Sequence, residues 1–113
     1  SQVMNVVGNV KGKTCIITDD IIDSGGTIVN AADALIKRGA KEVYVYVTHG
    51  VLSGEAIEKI KKSKIKNLVI TDTIDNGNKV KKAKNIEVLT ISNILGEAIK
   101  RISHSTSVSD LFK

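Results

Sequence analysis

A single α/β domain, with a mainly parallel sheet flanked by helices, is the fold this sequence predicts, and three observations predict it. Apolar, β-favouring runs alternate along the chain with segments whose apolar residues recur at helical spacing. The runs are continuous rather than alternately polar, as in strands buried on both faces. The chain has 113 residues, enough for one compact core and too few for two.

The elements follow in order. Residues 8–13 read as a turn, and Thr14, Cys15, Ile16, Ile17 and Thr18 form the first strand run. After an acidic segment at 19–27, Ile28, Ala31, Ala32, Leu35 and Ile36 fall at i, i+3, i+4, i+7 and i+8, one stripe of a helix that begins near Thr27. Gly39, following Lys37 and Arg38, supplies its C-terminal stop. Residues 42–47 predict a second strand, and Ser53 is placed to cap a helix carrying Ala56, Ile57 and Ile60. Residues 67–71 predict a third strand and 86–91 a fourth. A last helix beginning near Ser92 has Leu95, Ala98, Ile99 and Ile102 on one face. Between the last two strands, 75–85 joins Asp-Asn-Gly-Asn to four lysines, a composition expected of an exposed excursion. The tail from His104 is polar until Leu111 and Phe112.

Composition excludes several classes. Apolar residues make up 42% and charged residues 26%, ordinary for a water-soluble globular domain. No apolar stretch approaches the roughly 20 residues of a membrane-spanning helix, and the N-terminal residues lack the basic-then-apolar pattern of a signal peptide, so no membrane association and a cytoplasmic location are expected. Cys15 is the only cysteine and sits in an apolar run, which predicts a structural thiol rather than a disulfide or metal ligand. The net charge of +5 is dispersed over lysines with little aromatic content to stack on bases, so no nucleic-acid partner is expected.

The segment that carries chemistry is Asp19-Asp20-Ile21-Ile22-Asp23-Ser24-Gly25-Gly26-Thr27. In open parallel sheets ligands bind beyond the carboxyl ends of the strands, where this segment lies. Gly25 and Gly26 let the backbone approach a ligand closely, and the helix that follows aims unpaired N–H groups at it. The hydroxyls of Ser24 and Thr27 add donors, so 23–27 can ring a phosphate monoester. Asp19 and Asp20 would repel a phosphate but, as acceptors, match the paired hydroxyls of a sugar, directly or through a divalent cation. The plainer alternative is that Asp and Ser cap a helix and Gly-Gly turns the chain. That reading leaves three acidic residues and the run of small residues with little purpose. Neither common nucleotide-binding glycine pattern is present.

The run Ile16-Ile17-Thr18-Asp19-Asp20-Ile21-Ile22-Asp23-Ser24-Gly25-Gly26-Thr27 resembles the phosphoribosyl-diphosphate-binding motif of type I phosphoribosyltransferases. Its flanks narrow the likeness. Residues 3–8, the Thr48-His49-Gly50 segment through Gly54, residues 69–74 and residues 107–112 all resemble ribose-phosphate diphosphokinases, in that family's order. The resemblance implies a phosphoribosyltransferase-like fold over residues 1–113, corresponding to the second, C-terminal domain of a two-domain enzyme. That enzyme transfers the diphosphoryl group of ATP to the 1-hydroxyl of ribose 5-phosphate with Mg2+, giving phosphoribosyl diphosphate and AMP.

By position, the resemblance implies that Asp19, Asp23, Ser24, Gly25, Gly26 and Thr27 bind ribose 5-phosphate, with Asp20 beside them and Ser24 where threonine is common. It also implies that Ser107, Val108, Ser109 and Phe112 help form an allosteric phosphate or ADP site between subunits of a homo-oligomer, a dimer or hexamer. A docked C-terminus with Leu111 and Phe112 buried is the alternative there. The catalytic and metal-binding residues of the family, and its contacts to ATP, are expected in the preceding half. None is therefore expected in this chain, and the 113 residues alone are expected to bind rather than catalyse. His49 is read as a hydrogen-bonding structural residue. Two other readings stay open: a salvage phosphoribosyltransferase, and a non-catalytic regulatory subunit of the synthetase.

Overall fold

A computed structural model describes residues 5–113. Val3 and Met4, within the first of the family-like segments, lie outside the described residues. The elements are β1 (Thr14–Ile22), α1 (Gly26–Lys37), β2 (Glu42–Gly50), α2 (Ala56–Lys62), β3 (Ile65–Thr71), β4 (Ile86–Leu89) and α3 (Ser92–Ser103). Short 3-10 turns lie at Lys79–Lys82 and Ser109–Phe112. The four strands form one sheet in the order β1-β2-β3-β4, and every neighbouring pair is parallel. This is the predicted α/β class. Parallel neighbours need crossover connections, which α1, α2 and the segment between β3 and β4 provide.

The core lies on one face of the sheet. Val43, Val45 and Val47 of β2 and Leu68 and Ile70 of β3 are buried there against Ile28 and Ala32 of α1 and Ala56, Ile57 and Ile60 of α2. Cys15 and Ile17 pack against the same cluster from β1, and Cys15 is a half-buried free thiol. α1 ends as predicted. Gly39 adopts φ +92, its N–H donates to the Ile36 carbonyl at 2.9 Å, and Ala40 N–H donates to Leu35 at 3.0 Å.

Four expectations need correction. The sheet is covered on one face, not both, among the described residues: Ile16, Tyr46 and Leu89 stay exposed on the other. The strand runs are apolar on both sides, but α3 does not cover the second side, and its own Ile94, Leu95, Ile99 and Ile102 are exposed. Ser53 does not cap α2: Glu55 holds the N-cap position with no side-chain cap bond, and Ser53 instead accepts Ala56 N–H on its carbonyl in a preceding turn. The segment 75–85 is not wholly exposed, because its 3-10 turn buries Val80 and, just after it, Ala83 in the core. At the tail Phe112 is 71% exposed, which excludes the buried C-terminal pair.

Candidate functional site

β1 is four residues longer than its apolar run, because β2 continues beside it: Asp19 pairs with Val47, Ile21 with His49 and Ile22 with Gly50. Asp19 and Asp20 are therefore strand residues at the carboxyl end of the sheet. The loop shrinks to Asp23, Ser24 and Gly25, a correction to the nine-residue loop read from the sequence. The acidic side chains concealed the strand, since Asp is depleted in strands and only the neighbouring strand shows that the ladder goes on.

Gly25 turns the chain into α1 with φ +85, a left-handed conformation that only glycine adopts without strain. The first bond of the helix runs from Val29 N–H to the Gly25 carbonyl at 3.0 Å. The amides of Gly26, Thr27 and Ile28 thus stand ahead of that bond, open to a ligand and at the positive end of a 12-residue helix. No side chain caps α1, and among the described residues nothing bonds the side chains of Asp23, Ser24 or Thr27. Capping is therefore not what these residues do.

An open cavity of about 230 Å³ is lined by Asp19, Ile21, Ile22, Asp23, Ser24, Gly25, Thr27 and Ile28. Five of the seven predicted sugar-phosphate residues meet there. Gly26 presents its backbone at the helix start without lining the cavity. Asp20 is outside it too; its N–H donates to Asp19 Oδ1 at 2.8 Å. Asp19 also borders a second cavity on the uncovered face, with Thr18, Tyr46, Thr48, Val69, Thr71 and Leu89. It stands between two spaces at the carboxyl edge.

The surroundings of this edge are tied together by side chains outside the acidic segment. His49 Nδ1 lies 2.8 Å from Thr73 Oγ1, and Thr71 Oγ1 donates to the Thr48 carbonyl at 2.6 Å, so His49 serves in a hydrogen-bonded network. Asp72 accepts Ile91 N–H at 3.0 Å. Bonds from the Thr90 hydroxyl and the Ile91 amide hold its carboxyl below the ordinary value of 3.8. From the sequence Asp72 stood out only as part of the family-like segment 69–74, with no role assigned. The signal lay in its place, directly after a strand and ahead of a helix start some twenty residues on.

The tail residues singled out from sequence cluster in part. Ser107 and Ser109 hydroxyls lie 2.9 Å apart, and Arg101, paired with Glu97 at 3.2 Å, donates from Nη1 to the Ser107 carbonyl at 3.0 Å. Val108 is half-buried, while the Phe112 ring is exposed. Among the described residues no three His, Cys, Asp or Glu side chains come together as a protein-only metal cage. No described helix is long and apolar enough to cross a membrane.

Known proteins resemble this chain. Residues 2–113 match the family model described as the phosphoribosyl synthetase-associated domain. Over 112 residues the chain is 59% identical to a ribose-phosphate pyrophosphokinase of Bradyrhizobium diazoefficiens and 55% identical to one of Brucella melitensis. Each match covers 99% of this chain but 35% and 36% of those relatives, so the chain spans about a third of their length. The crystal structure of phosphoribosylpyrophosphate synthetase from Mycobacterium smegmatis superposes with a TM-score of 0.83 at 39% identity, covering 88% of this chain and 33% of that one. The resemblance first carried by residues 16–27 thus extends over nearly the whole sequence, and the chain belongs to the phosphoribosyl synthetase-associated domain family.

Proposed function

We propose that the Asp23–Thr27 turn and Asp19 bind ribose 5-phosphate, and that this chain is the sugar-phosphate domain, the second of two, of a ribose-phosphate diphosphokinase. The observation that carries the reading is the set of unpaired groups at the start of α1, beside the cavity: its three leading amides, the hydroxyls of Ser24 and Thr27, and a glycine turn at φ +85. An anionic phosphate is stabilised by that helix end, while Asp19 on the strand side accepts from ribose hydroxyls. Asp23 accepts from the sugar as well, and Asp20 supports Asp19 through its amide.

In the full-length protein the bound sugar presents its 1-hydroxyl to ATP, and transfer of the diphosphoryl group yields phosphoribosyl diphosphate and AMP. The chain's part is positioning. Holding one reactant in place removes much of the entropic cost of the encounter, and the cationic groups that stabilise transferring phosphoryl oxygens come from the remainder of the protein. Mg2+ would supply charge neutralisation there, with at most the Asp19–Asp20 carboxylates contributing from this side. The tail residues Ser107, Val108, Ser109 and Phe112 we assign to an effector phosphate site completed by a second subunit, in a cytoplasmic homo-oligomer. The exposed Phe112 ring and the paired serine hydroxyls support it.

Calorimetric titration of the full-length protein with ribose 5-phosphate tests the main claim. Asp23→Ala and Gly26→Val should each abolish measurable binding, the second by placing a branched side chain where the phosphate meets the helix. Unchanged binding in both variants defeats the assignment.

A further inference from the structure

The turn after β2 holds a conformation its own residues disfavour. Leu52, 1% exposed, has φ +52, a left-handed backbone that a residue with a Cβ keeps only when its surroundings over-determine it. Two side chains from the connection between β3 and β4 reach back to that turn. Asn76 Nδ2 donates to the Gly50 carbonyl at 2.9 Å, and Lys79 Nζ donates to the Leu52 carbonyl at 3.2 Å. On its other side the turn grips the acidic segment. Val51 and Leu52 N–H both donate to the Ile22 carbonyl, at 2.9 and 3.2 Å, and Ser53 N–H donates to the Asp23 carbonyl at 3.1 Å.

The three segments thus form a stack: the lysine-rich connection holds the 50–53 turn, and the turn holds residues 22–23, which lead into the phosphate-facing amides. We infer that Asn76 and Lys79 are positioning residues for this site. By donating to the Gly50 and Leu52 carbonyls they keep the turn left-handed, so that Ile22 and Asp23 are already fixed when a sugar phosphate arrives. The inference rests on the ribose 5-phosphate reading for its ligand. Its physical basis is preorganisation: a cradle that must be ordered on binding costs affinity that a preformed one does not. Asn76 does not line the cavity, and its Oδ1 is buried without a partner, so its one bond to Gly50 fixes the orientation of the amide.

The test uses the full-length protein with Asn76→Leu, Lys79→Met and Lys79→Arg. Without ligand, hydrogen exchange at the amides of Val51, Leu52 and Ser53 should speed by about tenfold in the Leu and Met variants and stay as in the wild type in Lys79→Arg. Titration with ribose 5-phosphate should show Kd raised by about tenfold in the same two variants, with the thermal midpoint nearly unchanged and Lys79→Arg again preserved. Wild-type exchange at all three amides in both variants overturns the inference. So does weakened binding in Lys79→Met alone, because that pattern marks a field effect of the lysine charge rather than a held turn. If the wild-type protein takes up no ribose 5-phosphate, the ligand assignment fails, and the exchange measurement still decides whether Asn76 and Lys79 hold the turn.

Discussion

α1 and α3 have the same length, 12 residues, and each carries an apolar stripe at helical spacing, yet they end in opposite surroundings. α1 buries Ile28 and Ala32 against the sheet, while α3 buries none of its residues and leaves Ile94, Leu95, Ile99 and Ile102 more than half exposed. The sheet repeats the contrast. Val43, Val45 and Val47 are covered, and the alternate positions Tyr44 and Tyr46 face the side that α1 and α2 leave open. The difference teaches that an apolar stripe states the need for a partner surface and does not state where that surface is. α1 finds its partner because it follows β1 directly and folds back on β2. α3 follows the edge strand β4, beyond which the described chain has no further strand.

The comparison can be broken most forcefully by truncating one apolar side chain on each helix. In this chain Ile28→Ala should cost about 2–4 kcal/mol in urea denaturation, since a cavity opens in the core. Ile99→Ala, 60% exposed, should cost less than about 0.5 kcal/mol. Equal losses would show that α3 is as well packed as α1.

Glycine replacements sharpen the contrast at the next level of effect. Gly25→Ala should destabilise by roughly 1–2 kcal/mol, because the turn into α1 requires φ +85, while the new Cβ meets Ala56 and Ile60 only at ordinary contact distance. Gly96→Ala, inside α3 with open space around it, should stabilise by about 0.5–1 kcal/mol through helix propensity alone. Thermal melts of the two variants should move in opposite directions.

The smallest effect concerns how α3 is attached. Asp72 binds the Ile91 amide at the N-terminus of α3, and its carboxyl is held below 3.8. A depressed folded-state value means that the ionised form stabilises the fold above that ordinary value, and that this contribution disappears as pH falls through the folded-state value. Asp72→Asn should therefore remove a small acid-dependent part of stability, seen as a shallower loss between neutral pH and pH below about 4 in denaturation midpoints. An identical pH profile in the two proteins would remove Asp72 from the attachment of α3.

Much of this was legible in the residues. The start of α3 at Ser92 and the stop of α1 at Gly39 follow from local spacing and from glycine's freedom at positive φ. The turn at Gly25 needed only its neighbours to be read as a turn into α1. Residues whose fate depends on another segment were misjudged. Asp19 and Asp20 look like loop residues until β2 is set beside them, and Ser53 looks like a cap until its amide is found bonded to Asp23. Val80 and Ala83, three apart among lysines, carried a faint helical signal that charge outweighed.

By itself, then, the sequence determined the α/β alternation, the parallel sheet and the acidic glycine turn at a strand end, because short-range periodicity and backbone sterics act within a few residues. Tertiary structure alone decided that β1 runs on through both aspartates, that one face of the sheet is left open among the described residues, and that Asn76 and Lys79 reach across to the turn at Gly50–Leu52. Those outcomes depend on hydrogen bonds and packing between segments more than twenty residues apart, which no local pattern encodes.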